Sequence, residues 1–302
     1  MKALWGIDLG GTKIEGIVVD ANANYKVLAR RRIPTEREKG YTHTLDRIKS
    51  LIDLLKKETS LVPNQIGMGT PGAMDPDTET LKNSNSQQLL SKPLQKDLEN
   101  LLSVPLRLAN DANCFAIAET KLGIVADELT EAKVVFGIIM GTGVGGGLVM
   151  DGKVLNGRHG IAGEWGHIFL DESGGECYCG KVGCVETILS GPALEKYYTE
   201  QSGKSIPLKQ IIKAAREGKD VYAQATLERL LFFFGKGLAT VINIVDPDAI
   251  VIGGGLGNIA ELYTRGRDEI EKQIFNPILR TPILKPKLGD SAGVFGAAML
   301  VE

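Results

Sequence analysis

The amino-acid sequence predicts an α/β protein made of two duplicated halves, and three observations support this. Apolar stretches rich in β-branched residues alternate with segments of helical spacing along the 302 residues. Residues 3–20 and 133–154 each have the pattern of a strand, a glycine turn and a second strand. The two segments align when Trp5 is set on Phe136, which pairs WGIDLGGT with FGIIMGTG. One half of the chain is therefore expected to be a diverged copy of the other.

Length and composition favour two domains of ordinary size that bind small ligands. The chain is 43% hydrophobic, which is enough for each half to bury a core of its own. Its 35 basic and 37 acidic side chains give a net charge of -2 and form no long block of one sign. Nucleic acids and anionic membranes are therefore not expected as partners.

The sequence pattern contains no targeting signal and no membrane span. The opening MKALWGIDLGG reaches its glycines too early for a signal peptide, which predicts a cytoplasmic protein. The longest run without a charge, residues 134–150, contains six glycines and is shorter than a comfortable membrane span. In a reducing cytosol, the closely spaced cysteines of CYCGKVGCVE are more typical of metal ligands or redox groups than of disulfides.

The remaining elements follow in order along each half. The first half continues with a helix over 43–58 and strands over 65–72 and 105–111, the last of which feeds another helix. The second half continues with the cysteine segment, helices over 191–243, a strand over 248–255 and further helices. Two α/β halves of this kind are expected to leave a cleft, where ligands usually bind.

The first glycine turn lies in DLGGTK, residues 8–13. Asp8 lies at the end of a strand, and Gly10 and Gly11 leave backbone N–H groups that can approach a phosphate, followed by a hydroxyl and a lysine. The motif lacks the glycine spacing of a P-loop. Considered alone, it is explained about equally well as an ordinary hairpin turn.

The second turn, GTGVGGG at residues 141–147, favours a ligand over an ordinary turn. Five of its seven residues are glycine, which is more than a turn needs, and each glycine costs backbone entropy on folding. Two such turns facing one cleft can hold a polyphosphate between them.

Asp111 in LANDAN, residues 108–113, follows a strand and precedes a helix. Asn110 or Asp111 could simply cap that helix, and this explanation has about half the weight before context is added. A carboxylate at the carboxyl end of a strand is also the place for a general base that takes a proton from a substrate hydroxyl.

The segment CYCGKVGCVE, residues 177–186, holds three of the four cysteines and suggests a zinc site that needs a fourth ligand. His167 shares the glycine-bounded loop AGEWGH with Glu164 and can complete a Cys₃His site, although a lone histidine is more often structural. Cys114 is the alternative ligand, but it lies among helix-forming apolar residues, where a buried free cysteine is common.

Seven motifs in this order resemble the ROK family of bacterial sugar kinases and related regulators: DLGGTK, GMGTPG, NDAN, GTGVGGG, AGEWGH, CYCGKVGCVE and DPDAIVIGGG. The resemblance covers nearly the whole chain. It implies the actin-like, hexokinase-type fold of two duplicated α/β domains with an interdomain cleft. An N-terminal domain is then expected over residues 1–118 with about 289–302, and a C-terminal domain with the zinc motif over residues 119–288.

The same resemblance implies roles for individual residues. The zinc ligands would be His167, Cys177, Cys179 and Cys184. The sugar would contact Gly72, Asn85, Asn110, Asp111, Glu164, His167 and Glu186. ATP with Mg²⁺ would contact Asp8, Gly10, Gly11, Thr12, Lys13, Gly141, Thr142, Gly143, Gly254 and Gly255. Asp111 would then accept the proton of the sugar hydroxyl, and the zinc would orient His167 so that its second ring nitrogen faces the sugar.

The implied activity is ATP-dependent phosphorylation of a free hexose at its 6-hydroxyl, by a homodimer. The polar run NSNSQQ favours fructose, with mannose or glucose weaker, because it offers hydrogen bonds and little apolar surface for an acetyl methyl. An N-acetylglucosamine or glucose kinase of the same family is the alternative. A sugar-responsive transcriptional repressor is a more distant one, since no helix-turn-helix segment or basic patch is present.

Overall fold

The computed structural model of the chain describes residues 1–84 and 86–302, which divide into two compact units. Unit 1 comprises Met1–Glu128, Gly147–Ala162 and Lys287–Glu302. Unit 2 comprises Leu129–Gly146 and Gly163–Pro286. The domain boundaries expected from the sequence, after residues 118 and 288, stay a prediction.

Unit 1 carries a five-stranded sheet and a two-stranded hairpin. Its strands are β1 (Ala3–Leu9), β2 (Lys13–Asp20), β3 (Lys26–Pro34), β4 (Ile66–Thr70), β5 (Ala73–Met74), β6 (Leu81–Lys82) and β7 (Leu106–Asn110). The helices along this part of the chain are α1 (Tyr41–Thr59), α2 (Leu94–Leu102), α3 (Asp111–Lys121) and α4 (Ile124–Glu128). The sheet has the order β3-β2-β1-β4-β7, with antiparallel pairing from β3 to β1 and parallel pairing from β1 to β7.

A second five-stranded sheet has the order β10-β9-β8-β11-β12. Its strands are β8 (Val134–Met140), β9 (Val144–Met150), β10 (Lys153–Val154), β11 (Ala249–Gly253) and β12 (Ile283–Leu284). The helices of unit 2 are α5 (Glu186–Leu189), α6 (Gly191–Ser202), α7 (Leu208–Glu217), α8 (Val221–Val245) and α9 (Arg265–Glu271). The chain then returns to unit 1 with α10 (Ala292–Met299).

The predicted duplication is confirmed strand by strand. In the alignment that sets Trp5 on Phe136, β8 begins and ends opposite the first and last residues of β1, and β9 begins opposite the first residue of β2. Each sheet then continues with a parallel strand, β4 beside β1 and β11 beside β8. The strands expected over 65–72, 105–111 and 248–255 are β4, β7 and β11, and the expected helix over 43–58 is α1.

The core of unit 1 forms because its strands are apolar and α1 carries one apolar face. Ile48, Leu51, Ile52 and Leu55 recur at helical spacing and are fully buried. Burial of a side chain of this size contributes about 1.5–3 kcal/mol. A Cβ on Gly16 in β2 would lie 2.8 Å from Leu55 Cδ1, so the glycine lets α1 approach the sheet closely.

The core of unit 2 is built on α8, an apolar helix of 25 residues. Asp220 caps its N-terminus by accepting hydrogen bonds from the N–H groups of Tyr222 and Ala223. The helix ends at Val245, where Asp246 adopts a left-handed backbone conformation. Among the described residues, no helix combines the length and the apolar character that a membrane crossing requires.

Candidate active site

The first glycine turn connects β1 to β2. Gly10 donates its N–H to the carbonyl oxygen of Lys13 at 3.0 Å. A Cβ on Gly10 would lie 2.9 Å from the same oxygen, so a side chain would force the turn open. Thr12 and Lys13 are exposed and Gly11 is partly exposed. The turn therefore presents backbone N–H groups, a hydroxyl and an ammonium group to solvent.

Asp8 places its carboxylate at the end of β1, where burial makes a charge costly. A Cβ on Gly293, at the start of α10, would lie 2.9 Å from Asp8 Oδ2. Only glycine at this position therefore leaves room for the carboxylate. Burial is the main cause that raises the pKa of Asp8 to about 6, followed by the negative charges of Asp111 and Glu15. Gly293 was not predicted as part of the site, because it lies far along the chain in α10.

Asp111 is the first residue of α3, directly after β7. Asn110 is the helix cap, since its Oδ1 accepts a hydrogen bond from Asn113 N–H at 2.7 Å. Asp111 Oδ1 accepts a hydrogen bond from Ala112 N–H at 2.8 Å. Asp111 is exposed, and desolvation of its carboxyl raises the pKa against the opposing effect of the backbone hydrogen bonds. Asp111 is therefore an accessible carboxylate with a raised pKa at the end of β7.

Gly72 follows β4 and has a left-handed backbone with a φ of 95°. A Cβ there would lie 2.5 Å from Lys82 O in β6, so the chain can turn at this point only with glycine. Asn85, predicted to contact the sugar, lies outside the described residues. Its neighbours Ser84 and Ser86 are buried, and Ser84 Oγ accepts a hydrogen bond from Ser86 N–H at 3.0 Å. These two serines therefore face into unit 1.

The second glycine turn connects β8 to β9. Gly141 donates its N–H to Gly143 O at 2.9 Å. Glu186, the first residue of α5, accepts a hydrogen bond from Val144 N–H at 2.8 Å. A Cβ on Gly143 would lie 2.6 Å from Glu186 Oε2, so glycine is needed for this carboxylate to reach the turn. Thr142 is exposed at the tip.

Unit 2 contains a cavity of about 820 Å³ beside this turn, a size that suits a nucleoside. Its lining includes the predicted Gly141, Thr142 and Gly255 and, in addition, Leu208, Ile212, Leu256, Ile259, Glu195, Lys209, Arg216 and Asn258. Gly254 lies directly before Gly255 and has a left-handed backbone with a φ of 79°. A Cβ there would lie 2.3 Å from Met140 O. Sequence reasoning missed the walls contributed by α6 and α7, for which the only signal is the amphipathic pattern of α7.

Four side chains of unit 2 form a compact Cys₃His cluster: His167, Cys177, Cys179 and Cys184. One donor atom from each lies within 4.8 Å of the others. His167 Nδ1 lies 3.6 Å from Cys177 Sγ, and the Sγ atoms of Cys179 and Cys184 are also 3.6 Å apart. A tetrahedral zinc with Zn–S of about 2.3 Å and Zn–N of about 2.0 Å separates its ligands by about 3.5–3.8 Å. The donor set and its spacing fit a structural zinc whose four positions are all taken by protein.

Cys114, the alternative ligand considered from the sequence, lies in α3 of unit 1. It is fully buried beside Ala109 and Ala297. It is not a member of the Cys₃His cluster. Its place is that of an ordinary buried cysteine in a helix.

Tyr178 contacts the ring nitrogen of His167 that was expected to face a sugar. Its hydroxyl lies 2.9 Å from His167 Nε2, and the two rings are perpendicular with centroids 5.1 Å apart. The tyrosine is exposed, so it can also meet a ligand from solvent. Sequence reasoning missed this residue, and its only signal was its position between two cysteine ligands.

The loop that carries Glu164 and His167 is fixed by the two residues between them. Trp165 is buried and donates its Nε1–H to a carbonyl oxygen of α8 at 3.1 Å. A Cβ on Gly166 would lie 1.9 Å from Val144 O, so the loop lies directly against the second glycine turn. His167 N–H donates to Glu164 O at 3.3 Å, which closes a single 3₁₀ turn. The motif AGEWGH therefore packs the site as well as supplying its polar groups.

Comparison with known proteins identifies the family. The model of the ROK family matches residues 4–302. The chain belongs to the ROK family. This confirms the resemblance carried by the seven motifs, which lie between Asp8 and Gly255.

Relatives of this ROK protein extend over its whole length. An N-acetyl-D-glucosamine kinase of Pectobacterium carotovorum is 36% identical over 309 residues, covering 98% of each chain. The crystal structure of a ROK hexokinase from Thermus thermophilus matches with a TM-score of 0.87 at 30% identity, covering 99% of this chain and 97% of that one. A ROK glucokinase from Streptomyces griseus, solved with glucose and AMPPNP, matches with a TM-score of 0.77 at 28% identity, covering 99% of both. The fold is the actin-like, hexokinase-type ATPase fold.

Proposed function

We propose that this ROK protein is an ATP-dependent sugar kinase that prefers N-acetyl-D-glucosamine and phosphorylates its 6-hydroxyl. The observation that carries the kinase proposal is Asp111, an accessible carboxylate of raised pKa at the carboxyl end of β7. In phosphoryl transfer the protein mainly positions the reactants, neutralises charge and takes one proton from the attacking hydroxyl. Asp111 is the residue that would accept this proton. A raised pKa brings its carboxylate closer to the operating pH, where a general base is most effective.

The nucleotide is assigned to both glycine turns and to the cavity of unit 2. The cavity, with Gly254 and Gly255 at its edge, would take the adenosine, and Gly141–Gly143 would take phosphates. The first turn adds Gly10–Thr12 and the ammonium group of Lys13. Asp8 would hold Mg²⁺, directly or through water. When bound, the ion neutralises phosphate charge.

The sugar is assigned to the polar groups that the ROK motifs imply and to one neighbouring tyrosine. They are Gly72, Asn110, Asp111, Glu164, His167 and Glu186, with Asn85 kept as a prediction and Tyr178 added. Glu186 Oε2 already accepts a hydrogen bond from Val144 N–H. The other carboxylate oxygen of Glu186 would therefore contact a sugar hydroxyl. Zinc in the Cys₃His cluster would fix the loop of Tyr178 and His167 and take no part in the chemistry.

The expectation that fructose is the best substrate lacks support. It assumed that the polar run NSNSQQ lines the sugar, whereas Ser84 and Ser86 are buried and bonded to each other. Their hydroxyls therefore do not argue against an N-acetyl group. The relatives named N-acetyl-D-glucosamine kinases, 36% identical over 98% of the chain, favour the alternative instead.

Glucose is the second candidate substrate. The hexokinase and the glucokinase of this family both match the chain over 99% of its length, at 30% and 28% identity. Their identity is lower than that of the N-acetyl-D-glucosamine kinases, which is why glucose ranks second. Assembly as a homodimer stays a prediction.

A coupled ADP-release assay across five sugars tests the proposal: fructose, mannose, glucose, N-acetylglucosamine and N-acetylmannosamine. We expect the highest kcat/KM with N-acetylglucosamine, and phosphorus NMR of the product should show a 6-phosphate. A higher kcat/KM with glucose or fructose would refute the choice of sugar. No ADP release with any sugar would refute the kinase itself.

A further inference from the structure

Arg37 is a charged residue beside the first glycine turn that none of the roles above uses. Its Nη1 atom lies 3.2 Å from the position that a Cβ on Gly11 would take, and its Cζ atom lies 4.0 Å from it. The absence of a side chain at Gly11 therefore lets the guanidinium group lie directly over the backbone of the turn.

The backbone before Arg37 is hydrogen-bonded to the turn itself. Thr35 donates its Oγ1–H to Gly10 O at 2.7 Å and its N–H to Thr12 O at 3.0 Å. Thr35 is buried, so water competes little for these bonds. The end of β3 and the first glycine turn therefore move together, and Arg37 follows only two residues after this anchor.

Glu36, directly before Arg37, connects the segment to the part of the chain that follows it. Glu36 has a left-handed backbone with a φ of 53°, and its Oε2 lies 2.8 Å from Lys39 Nζ and 2.6 Å from His43 Nε2. His43 belongs to α1, so this carboxylate ties the segment to the first turn of that helix. The guanidinium of Arg37 is thus carried by a segment that is bonded to the first glycine turn through Thr35 and to α1 through Glu36, although its own side chain is exposed.

Arg37 also differs from the preceding arginines in its charge balance. The others are ion-paired: Arg30 and Arg32 with Glu15, and Arg31 with Glu58. Within residues 1–84 and 86–302, the Arg37 side chain makes no hydrogen bond and no ion pair. The neighbouring carboxylate of Glu36 is already engaged. An uncompensated guanidinium therefore faces a turn whose backbone suits phosphate.

We propose that Arg37 binds the γ-phosphoryl group of ATP and stabilises it during transfer, an inference that rests on the proposed kinase function. The transferred group spreads its negative charge over three oxygens, and the planar fork of arginine can donate two parallel hydrogen bonds to such oxygens. The carboxylates of Asp8 and Asp111 repel each other and would also repel these oxygens. A fixed cation on the first turn offsets part of that repulsion.

Calorimetric binding of AMPPNP and of ADP tests the contact without relying on turnover. Arg37→Ala should bind AMPPNP about tenfold more weakly than the parent protein and ADP within about twofold, because only AMPPNP carries the third phosphoryl group. The AMPPNP affinity of Arg37→Lys should lie between those of the parent and Arg37→Ala, because lysine keeps the charge but loses the planar, bidentate guanidinium. Arg107→Ala is the matched control, because it removes another exposed arginine, from β7, and should bind both nucleotides like the parent.

Turnover provides a second readout with the sugar that the parent uses best. Arg37→Ala should lower kcat by about 100-fold or more, and free guanidinium in the assay should restore part of the rate, which a merely structural role would not allow. Equal loss of affinity for AMPPNP and ADP, or no loss for either, would overturn the Arg37 contact. A parent that binds both nucleotides but turns over no sugar would refute the kinase proposal, while the binding comparison would still decide Arg37. A parent that binds neither nucleotide would overturn both.

Discussion

The two copies of the strand–turn–strand element share one backbone plan and differ in where they carry charge. Asp8 in β1 aligns with Ile139 in β8, and Lys13 at the start of β2 aligns with Val144 at the start of β9. The first copy therefore brings a carboxylate and an ammonium group to its turn, whereas the second brings glycines and backbone N–H groups. The two copies therefore share one backbone arrangement, whereas the ionisable side chains at these aligned positions occur only in the first copy.

The surroundings of the two turns follow the same division. Near the first turn, burial holds the pKa of Asp8 at about 6, and Asp111 adds a second carboxylate. Near the second turn lie a cavity of about 820 Å³, lined by both apolar and polar side chains, and the Cys₃His cluster. We propose that unit 1 supplies the proton transfer, the charge balance and contacts to phosphate, and that unit 2 supplies the cavity for the adenosine and a rigid loop for the sugar.

The largest effect is expected from Asp111→Asn in unit 1. Turnover should fall by two or more orders of magnitude while the affinity for N-acetylglucosamine stays within about tenfold, because the amide keeps the shape and loses the base. Steady-state rates beside calorimetric sugar binding measure the two effects. Asp127→Asn, which changes an exposed carboxylate paired with Lys287, is the control and should be active. A turnover number near that of the parent would place the base elsewhere.

A smaller but broader effect is expected from Cys184→Ala in unit 2. Loss of one ligand should empty the closed zinc site, loosen the segment that carries Tyr178 and Glu186, and lower thermal stability and sugar affinity together. Elemental analysis of the parent purified without added metal should show close to one zinc per chain, and the variant should show far less. Cys114→Ala is the control outside the cluster and should keep the zinc. A fully active parent without zinc would remove the metal from the account.

Gly254→Ala tests the second copy with a smaller expected effect. The substitution places a Cβ 2.3 Å from Met140 O on a backbone with a φ of 79°, so the edge of the cavity must shift. We expect a loss of stability of about 1–3 kcal/mol and an increase in KM for ATP of several-fold. Gly203→Ala is the matched control, because its φ is 71° and a Cβ there meets nothing within 4 Å. If both variants lose the same stability and keep the parental KM, the position of Gly254 has no bearing on the nucleotide.

Asp8→Asn should produce the smallest change in stability, and it should stabilise the protein rather than destabilise it. The pKa of Asp8 is raised from 3.8 to about 6 in the fold, so the charged form destabilises the protein above about pH 6, and this cost disappears as the pH falls toward 4. At about pH 7.5 and without nucleotide, the variant should therefore gain on the order of 1–2 kcal/mol while losing activity. Thermal melts at about pH 7.5 and pH 5 measure it. A variant less stable than the parent at the higher pH would contradict the assigned cost of burial.

The same pKa gives a pH dependence of the rate. Protonation of Asp8 below about pH 6 removes the charge that is expected to hold Mg²⁺, so kcat/KM should fall as the pH drops through that value. A rate profile over about pH 5 to 8, with Mg²⁺ in excess, reveals it. A flat profile through pH 6 would mean that Asp8 is not needed in its charged form.

Sequence alone predicted the parts of this molecule that depend on local pattern. The internal alignment located β8 and β9 correctly, because strand alternation and glycine turns are encoded by neighbouring residues. The three cysteine ligands could be named from their local spacing, whereas the choice of His167 over Cys114 as the fourth ligand came from the resemblance to the ROK family. The strand before Asp111 was also recognised from its local pattern.

The residues that sequence reasoning missed depend on packing between distant segments. Gly293 reaches Asp8 from α10, and Leu208 and Ile212 reach the cavity from α7, whose amphipathic pattern indicates an apolar face but not what that face contacts. The choice of fructose lacks support on a related point. Polarity of Ser84 and Ser86 says nothing about which way they face, and both are buried.

Hydrogen exchange measured with ADP alone tests most directly whether the second copy holds the nucleotide. Slower exchange is expected in residues 254–259 and 208–212, which line or flank the cavity of unit 2, and in the turn at 141–144. Residues 105–112, which carry Asp111, should exchange as in the free protein. Protection confined to residues 8–13 and 105–112, with none around the cavity, would contradict the division between the two copies.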